Sequence, residues 1–164
     1  MESTRYNLGN LTRTFNNPVI ALAFLQADTR KRLRFTLGRQ DRSVGPNIWI
    51  VEFHEEVRPT IIRGFRDRDV PSHGRFWIEL ETGRVAKSVL TAEDPQVVAT
   101  LTTTYTVDDR FQIDVPVEMN EQYVFGTSRV VGTATYGRFR RFDVSTSENV
   151  KPPEIGRASC RERV

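Results

Sequence analysis

Cysteine and lysine are almost absent from this chain of 164 residues. It has one cysteine, Cys160, and only three of its 24 basic residues are lysine. It also lacks an apolar run of about 20 residues, so that the sequence contains no transmembrane segment. Neither a Gly-x-Ser-x-Gly motif nor a glycine-rich phosphate loop occurs in it, and these motifs mark two large enzyme classes. We therefore expect a non-enzymatic protein that needs no cofactor and no metal.

The single cysteine lies in a C-terminal stretch, residues 154–164, that resembles a translated sequencing adapter. A segment of that origin is excluded from fold reasoning. Without it the chain has no cysteine, which leaves neither a disulfide nor a thiolate nucleophile. The stretch holds three arginines and two glutamates, so its exclusion lowers the net charge from +3 to +2. The basic character of the whole chain therefore carries little functional weight.

The opposite end, residues 1–9, has the pattern of a helix end followed by its glycine stop. We therefore expect an N-terminally truncated fragment of a larger protein, in which the lack of a signal peptide is uninformative. The expected organisation is a truncated lead-in over residues 1–17, one domain over 18–144 and a frayed exit over 145–153.

An apolar helix is predicted at the start of the domain. Asn17 is a good N-cap and Pro18 suits the first helical position. Residues 18–26 are apolar on every side, so this helix is expected to be buried on more than one side.

Period-two patterns replace the helical signal after residue 32 and predict a series of strands. The clearest is 96–107, where apolar residues share one face and threonines the other. Gly132 and Gly137 are candidates for a bulge in the last strand, and residues 64–74 are expected to form a polar loop. Short connections between successive strands favour an antiparallel meander. The predicted strands are 33–37, 48–57, 60–63, 75–80, 84–91, 96–107, 117–125 and 129–144.

The fold class that follows is mainly β (α+β). We expect a curved antiparallel meander sheet or half-barrel, with one buried apolar helix on its concave face. An apolar helix and the apolar side of a sheet each need to bury surface, and each provides it for the other.

Histidine and acidic residues raise the question of a metal or acid–base site. His54 shares a strand face with Glu52 and Glu56, and His73 lies in the predicted loop. A solvated strand face is the favoured interpretation, since two-residue spacing is common there. The carboxylate pairs Asp67/Asp69 and Asp108/Asp109 fall at turns, where aspartate routinely caps backbone groups.

Arginine has two interpretations. Its guanidinium suits phosphate or nucleic acid, whereas codon bias in a GC-rich genome enriches arginine without a function. The second is favoured, because acidic residues are interleaved throughout. A local patch near the C-terminus likewise suits an anion or nucleic-acid surface or, as favoured, a charged edge strand. It comprises Tyr136, Arg138, Phe139, Arg140, Arg141 and Phe142.

Large apolar side chains supply the remaining functional signal. They either line a cavity between sheet and helix that accepts an acyl chain, or simply fill the core. The candidate ligand-binding residues are Phe24, Trp49, Phe53, Trp77, Tyr105, Tyr123 and Phe139.

A hairpin at residues 76–85, Phe-Trp-Ile-Glu-Leu-Glu-Thr-Gly-Arg-Val, resembles the Phe-x-Ile-(Asp/Glu)-x-x-Thr-Gly hairpin of outer-membrane lipoprotein-carrier-like proteins. A threonine- and tyrosine-rich strand at 99–107 and a Pro-Val-Glu-Met segment at 116–119 follow in the same order as in that family. The helix at 16–25 is similar to one in uncharacterised secreted proteins of acidobacterial type. The resemblance covers roughly residues 33–144.

This resemblance implies a half-open antiparallel barrel with helices in its concavity, and a location in the periplasm or cell envelope. It also implies a lipid or a lipidated protein as partner, with residues 18–26 as a lid or plug. Nucleic acid is not favoured as a partner, and the oligomeric state stays open. A structural or interaction module without a ligand cavity is the alternative.

Overall fold

A seven-stranded antiparallel sheet dominates the computed structural model, which describes residues 16–140 apart from the side chain of Phe65. The strands follow one another in chain order, so that the sheet is an open meander with β1 and β7 at its edges. This confirms the predicted mainly β meander. The strands are β1 (Leu33–Gln40), β2 (Ile48–Glu55), β3 (Ser72–Glu79), β4 (Val85–Asp94), β5 (Val97–Asp108), β6 (Ile113–Phe125) and β7 (Ser128–Thr135).

The predicted N-terminal helix is a 3-10 helix, Ile20–Leu25, and the described part of the chain contains no α-helix. Ala21 and Phe24 are its buried residues, whereas Val19 just before it is 41% exposed. With three residues per turn, positions i and i+3 lie one above the other, so that Ala21 and Phe24 form one buried edge. The α+β assignment was therefore wrong. Ile20, Leu22 and Leu25 are partly buried and pack against the main core, so that more than one side of the segment is in contact with it.

Two strand predictions also need correction. Residues 60–63 form no strand, because Arg63 pairs instead with Asp67 and Asp69 and folds the loop back on itself. The last strand ends at Thr135, and residues 136–140 have no regular structure, with Arg138 at positive φ. The remainder of that predicted strand, 141–144, lies outside the described residues.

Alternation along the strands gives the sheet two unlike faces. We call the face that packs against the 3-10 helix the covered face and the other the open face. On β5, Ala99, Leu101 and Tyr105 are buried against the covered face, which confirms the predicted alternation. The open face carries a small separate cluster of Ile48, Ile50 and Trp77. The main core on the covered face contains Ala21, Phe24, Phe53, Val70, Phe76, Leu90, Ala92, Ala99, Leu101, Met119 and Tyr123.

Glycines act at close approaches and at turns. Gly83, in the turn of the hairpin, has φ +72°, a conformation that glycine adopts without strain. Gly132 marks no bulge, because the pairing of β6 with β7 runs without a shift of register. A Cβ at Gly132 would instead lie 2.5 Å from an oxygen of Glu121.

Candidate functional site

An aromatic stack joins the 3-10 helix to the covered face. Phe24 is fully buried, and its ring centroid lies 5.3 Å from that of Phe53. Phe53 in turn stacks on Phe76 at 4.9 Å. Gly74 leaves room for this stack, because a Cβ there would lie 2.8 Å from the ring of Phe53. The centre of the covered face is therefore filled by the protein's own side chains.

A hydrogen-bonded tyrosine holds the start of the helical segment. The hydroxyl of Tyr105 donates to the carbonyl of Pro18 at 2.8 Å and lies 3.0 Å from Oγ of Ser88. Because the phenol has one proton, Ser88 is the donor in the second bond. Burial raises the pKa of Tyr105 above its ordinary value, so that the hydroxyl stays a donor at neutral pH.

Four of the seven predicted ligand-binding residues lie together in or beside this core. They share the covered face and each is buried, although Phe53 also borders a depression on the opposite face. They are Phe24, Phe53, Tyr105 and Tyr123.

The other three predicted residues lie elsewhere. Trp77 is on the open face, where its indole NH donates to Asp41 at 2.8 Å. Trp49 is on the covered face, half-buried, but belongs to neither core cluster. Phe139 follows β7, and its carbonyl accepts a hydrogen bond from Arg110 at 3.1 Å. The structure therefore does not bring all seven residues to one cavity.

An uncovered apolar strip occupies the β1–β2 end of the covered face. We define the β1–β2 strip as Phe35, Leu37, Trp49 and Val51, none of which belongs to either core cluster. Leu37 is 63% exposed and Phe35 37%. The strands align Leu37 with Val51 and Phe35 with Phe53, so that the strip continues the aromatic stack toward the sheet edge.

Sequence reasoning selected Trp49 from this strip and missed Phe35 and Leu37. The signal was present, because Leu33, Phe35 and Leu37 alternate along the predicted first strand. What the pattern did not reveal was that Phe35 and Leu37 lie outside the core against which the 3-10 helix packs. Apolar residues on one strand face are normally assigned to the core.

A polar depression of about 440 Å³ lies on the open face. His73 was expected in a loop, but it belongs to β3 and sits directly opposite His54, with 6.2 Å between the ring centroids. Val89 and Thr91 of β4 complete one side. The long polar side chains that surround the depression are Arg34, Thr36, Glu52, His54, His73 and Arg75.

Within residues 16–140, no three or more His, Cys, Asp or Glu side chains are grouped so that they hold a metal ion. The same part of the chain has no helix of the length and apolarity that crossing a membrane requires. Among these residues His54 and His73 therefore have no third side chain placed to complete a metal site.

The carboxylates at the turns are engaged in capping. Asp69 accepts from the backbone N–H of Thr60 at 2.7 Å, and Asp108 from that of Arg110 at 3.0 Å. Hydrogen bonds from these partners hold the pKa of both carboxyls below the ordinary value. They have the environment of structural caps, with the proton affinity lowered rather than tuned toward neutral pH.

Glu55 is the exception among the acids, since it is only 5% exposed. One of its oxygens accepts from the backbone N–H of Ile61 at 2.6 Å, and the other has no hydrogen-bond partner among the described residues. Burial raises the pKa of Glu55 above its ordinary value. It packs beside the loop that follows β2, away from the open-face depression.

No family model, no curated protein sequence and no solved structure matches the chain.

Proposed function

We propose that this chain is a non-enzymatic module that binds an apolar ligand, an acyl chain or a lipidated peptide, along the β1–β2 strip. The observation that supports this is the exposure of Leu37 and Phe35 on a face whose other apolar residues are covered. Contiguous exposed apolar side chains commonly mark ligand or partner sites. Each square ångström of apolar surface removed from water contributes about 25 cal/mol before ordering costs.

The 3-10 helix, Ile20–Leu25, is the proposed lid of this site. It is short, has one buried edge, and is tied to the sheet through Tyr105 and Phe24. A hydrogen bond of this kind contributes about 1 kcal/mol net. Displacement of the helix would extend the strip over Phe53 toward Phe76, and the ligand would replace the contacts that Phe24 gives up.

Compartment and architecture are part of the same proposal. We place the parent protein in the periplasm or cell envelope, with the sheet as part of a half-barrel and a lipid or lipidated protein as partner. The support is the hairpin at residues 76–85 and the order of the strands after it, which resemble lipoprotein-carrier-like proteins. The open edges of the meander at β1 and β7 are compatible with an incomplete barrel.

Displacement of a fluorescent fatty acid tests the apolar site. Fatty acids of increasing chain length are expected to compete, with affinity that rises with length. Leu37→Asp introduces a charge into the strip and is expected to weaken binding by about tenfold or more. Val131→Asp is the matched control, because Val131 is 58% exposed but lies on the open face of β7. Lack of displacement at every length, or equal loss in both variants, would contradict the proposal.

An interaction module without a ligand cavity is the second candidate. It is favoured by the complete burial of Phe24, which fills the centre of the covered face. The two tryptophans distinguish the candidates, because Trp77→Phe leaves Trp49 of the strip as the sole reporter. An acyl ligand in the strip shifts the emission of Trp49 to shorter wavelength. Emission that is unchanged at saturating fatty acid supports the interaction module instead.

A further inference from the structure

The open-face depression consists of two cross-strand rows of polar side chains. In the first row Arg34 lies opposite His54, and His54 opposite His73. In the second row Glu52 lies opposite Arg75. Neighbouring strands are about 4.8 Å apart, so that groups from adjacent rows and strands can contact one small molecule together.

Most of these side chains have unused hydrogen-bonding capacity. Among the residues that the structure describes, the side chains of His54, His73 and Arg75 make no hydrogen bond or ion pair, although the two histidine rings contact each other. Arg34 pairs with Glu56 at the rim, and both remain largely exposed. Glu52 also has no hydrogen-bonded partner, although Arg75 lies directly opposite. A concave set of free donors is an arrangement that a polar ligand satisfies.

The chemistry of the lining specifies the ligand. The guanidinium groups of Arg34 and Arg75 match the oxygens of a phosphate or carboxylate, and the histidines add ring N–H donors. Glu52 is the one strong acceptor, and a ligand hydroxyl is the group that it would bind. From this geometry we propose that the depression binds a small polyol phosphate, with the phosphate between the arginines and a hydroxyl on Glu52.

Two sources share this chemistry, a free polyol phosphate and a lipid headgroup that ends in a phosphate monoester. The depression is on the face opposite the β1–β2 strip, so that this proposal and the proposed apolar site fail independently. Calorimetric titration with glycerol 3-phosphate probes the free ligand. Co-sedimentation with phosphatidic acid vesicles, against phosphatidylcholine vesicles, probes the headgroup.

Arg75→Gln is the first diagnostic variant, and it is expected to weaken glycerol phosphate binding by about tenfold. Arg129→Gln is its control, because it removes the same charge from β7, four strands away. Equal loss in both variants would reduce the effect to net charge and overturn the proposal. Binding to phosphatidic acid vesicles but not to glycerol 3-phosphate, with loss in Arg75→Gln, assigns the site to a lipid headgroup. Lack of binding in both the titration and the co-sedimentation overturns the proposal.

Glu52→Gln gives a second measurement whose sign is specific. Removal of the carboxylate relieves repulsion, so that inorganic phosphate binds more tightly, by about tenfold or less. The advantage of glycerol phosphate over inorganic phosphate shrinks at the same time, because the amide oxygen is a weaker acceptor for the ligand hydroxyl. An unchanged ratio between the two ligands would show that Glu52 contacts no hydroxyl. The circular dichroism spectrum and thermal midpoint verify that each variant is folded.

Discussion

The covered and open faces are built from the same seven strands, but their side chains have different roles. On the covered face, Phe24 and Phe53 interlock with the sheet residues and exclude water. On the open face, Thr100, Thr102 and Thr104 of β5 stay partly exposed. Most buried apolar side chains therefore lie on the covered face, and the exposed polar side chains of the open face are free to bind. The exception on the open face is the small buried cluster of Ile48, Ile50 and Trp77.

This difference sets the order of mutational effects. Substitutions on the covered face are expected to change the free energy of unfolding, because they leave cavities or clashes. Substitutions of exposed side chains on the open face and in the β1–β2 strip are expected to change binding with little effect on stability. The predictions that follow test this division, beginning with the largest effect.

Phe24→Ala is expected to lower the free energy of unfolding by about 3–5 kcal/mol, the range for a buried phenylalanine. Phe35→Ala is its matched control. The ring of Phe35 also lies beside that of Phe53, with 6.4 Å between the centroids, but Phe35 is 37% exposed. We expect about 1 kcal/mol for the control. Urea denaturation followed by circular dichroism measures both. Similar losses of unfolding free energy in the two variants would show that the centre of the covered face and the β1–β2 strip contribute equally to stability.

Gly74→Ala is expected to cost about 3 kcal/mol, near the upper end for overpacking. A Cβ at Gly74 would lie 2.0 Å from the backbone oxygen of Val89, which cannot move without breaking the pairing of β3 with β4. Gly137→Ala is the control, because a Cβ there meets no atom within 4 Å. Its stability should change by less than about 0.5 kcal/mol. Thermal denaturation measures both variants. A thermal midpoint of Gly74→Ala equal to that of the parent chain would contradict this prediction and show that the sheet adjusts locally.

The meander was predictable because its signal is local. Alternation of apolar residues and threonines identifies β5 without knowledge of its neighbours, and Gly83 identifies the turn between β3 and β4. Short connections then favour antiparallel order. The 3-10 form of Ile20–Leu25 was not predictable in this way, since the apolar run suits either kind of helix.

The two candidate sites depend on contacts between distant parts of the chain. His54 and His73 meet only because β3 begins at Ser72, earlier than the polar composition of that segment suggested. Leu37 is exposed because it lies outside the core against which the helix packs. Register and the reach of a covering element are tertiary properties, and no local periodicity encodes them.

Tyr105→Phe is expected to lower the free energy of unfolding by about 1–2 kcal/mol. It removes the bond to Pro18 and leaves Ser88 without its partner, while the ring still fills the covered face. Tyr136→Phe serves as the control, because its hydroxyl contacts only the sulfur of Met119, at 3.9 Å. Hydrogen exchange at Ile20 and Leu22 should also accelerate in Tyr105→Phe. Unchanged exchange there would mean that packing alone holds the helix.

The smallest effect concerns Glu55 and depends on pH. Burial raises the pKa of Glu55 above 4.5, so that the folded protein favours the protonated acid. The stability that this proton provides is complete below the unfolded pKa and is lost as the pH rises through the folded pKa. Glu55→Gln cannot ionise and lacks this dependence.

The stability of the natural chain relative to Glu55→Gln should therefore fall between acid and neutral pH, by about 1.4 kcal/mol for each unit of pKa shift. Urea denaturation of both proteins at a series of pH values measures the difference. The lowered pKa of Asp108 affects both proteins equally and cancels. A difference that stayed constant would mean that Glu55 ionises as easily in the folded chain as in the unfolded one, and that water reaches the covered face beside the loop after β2.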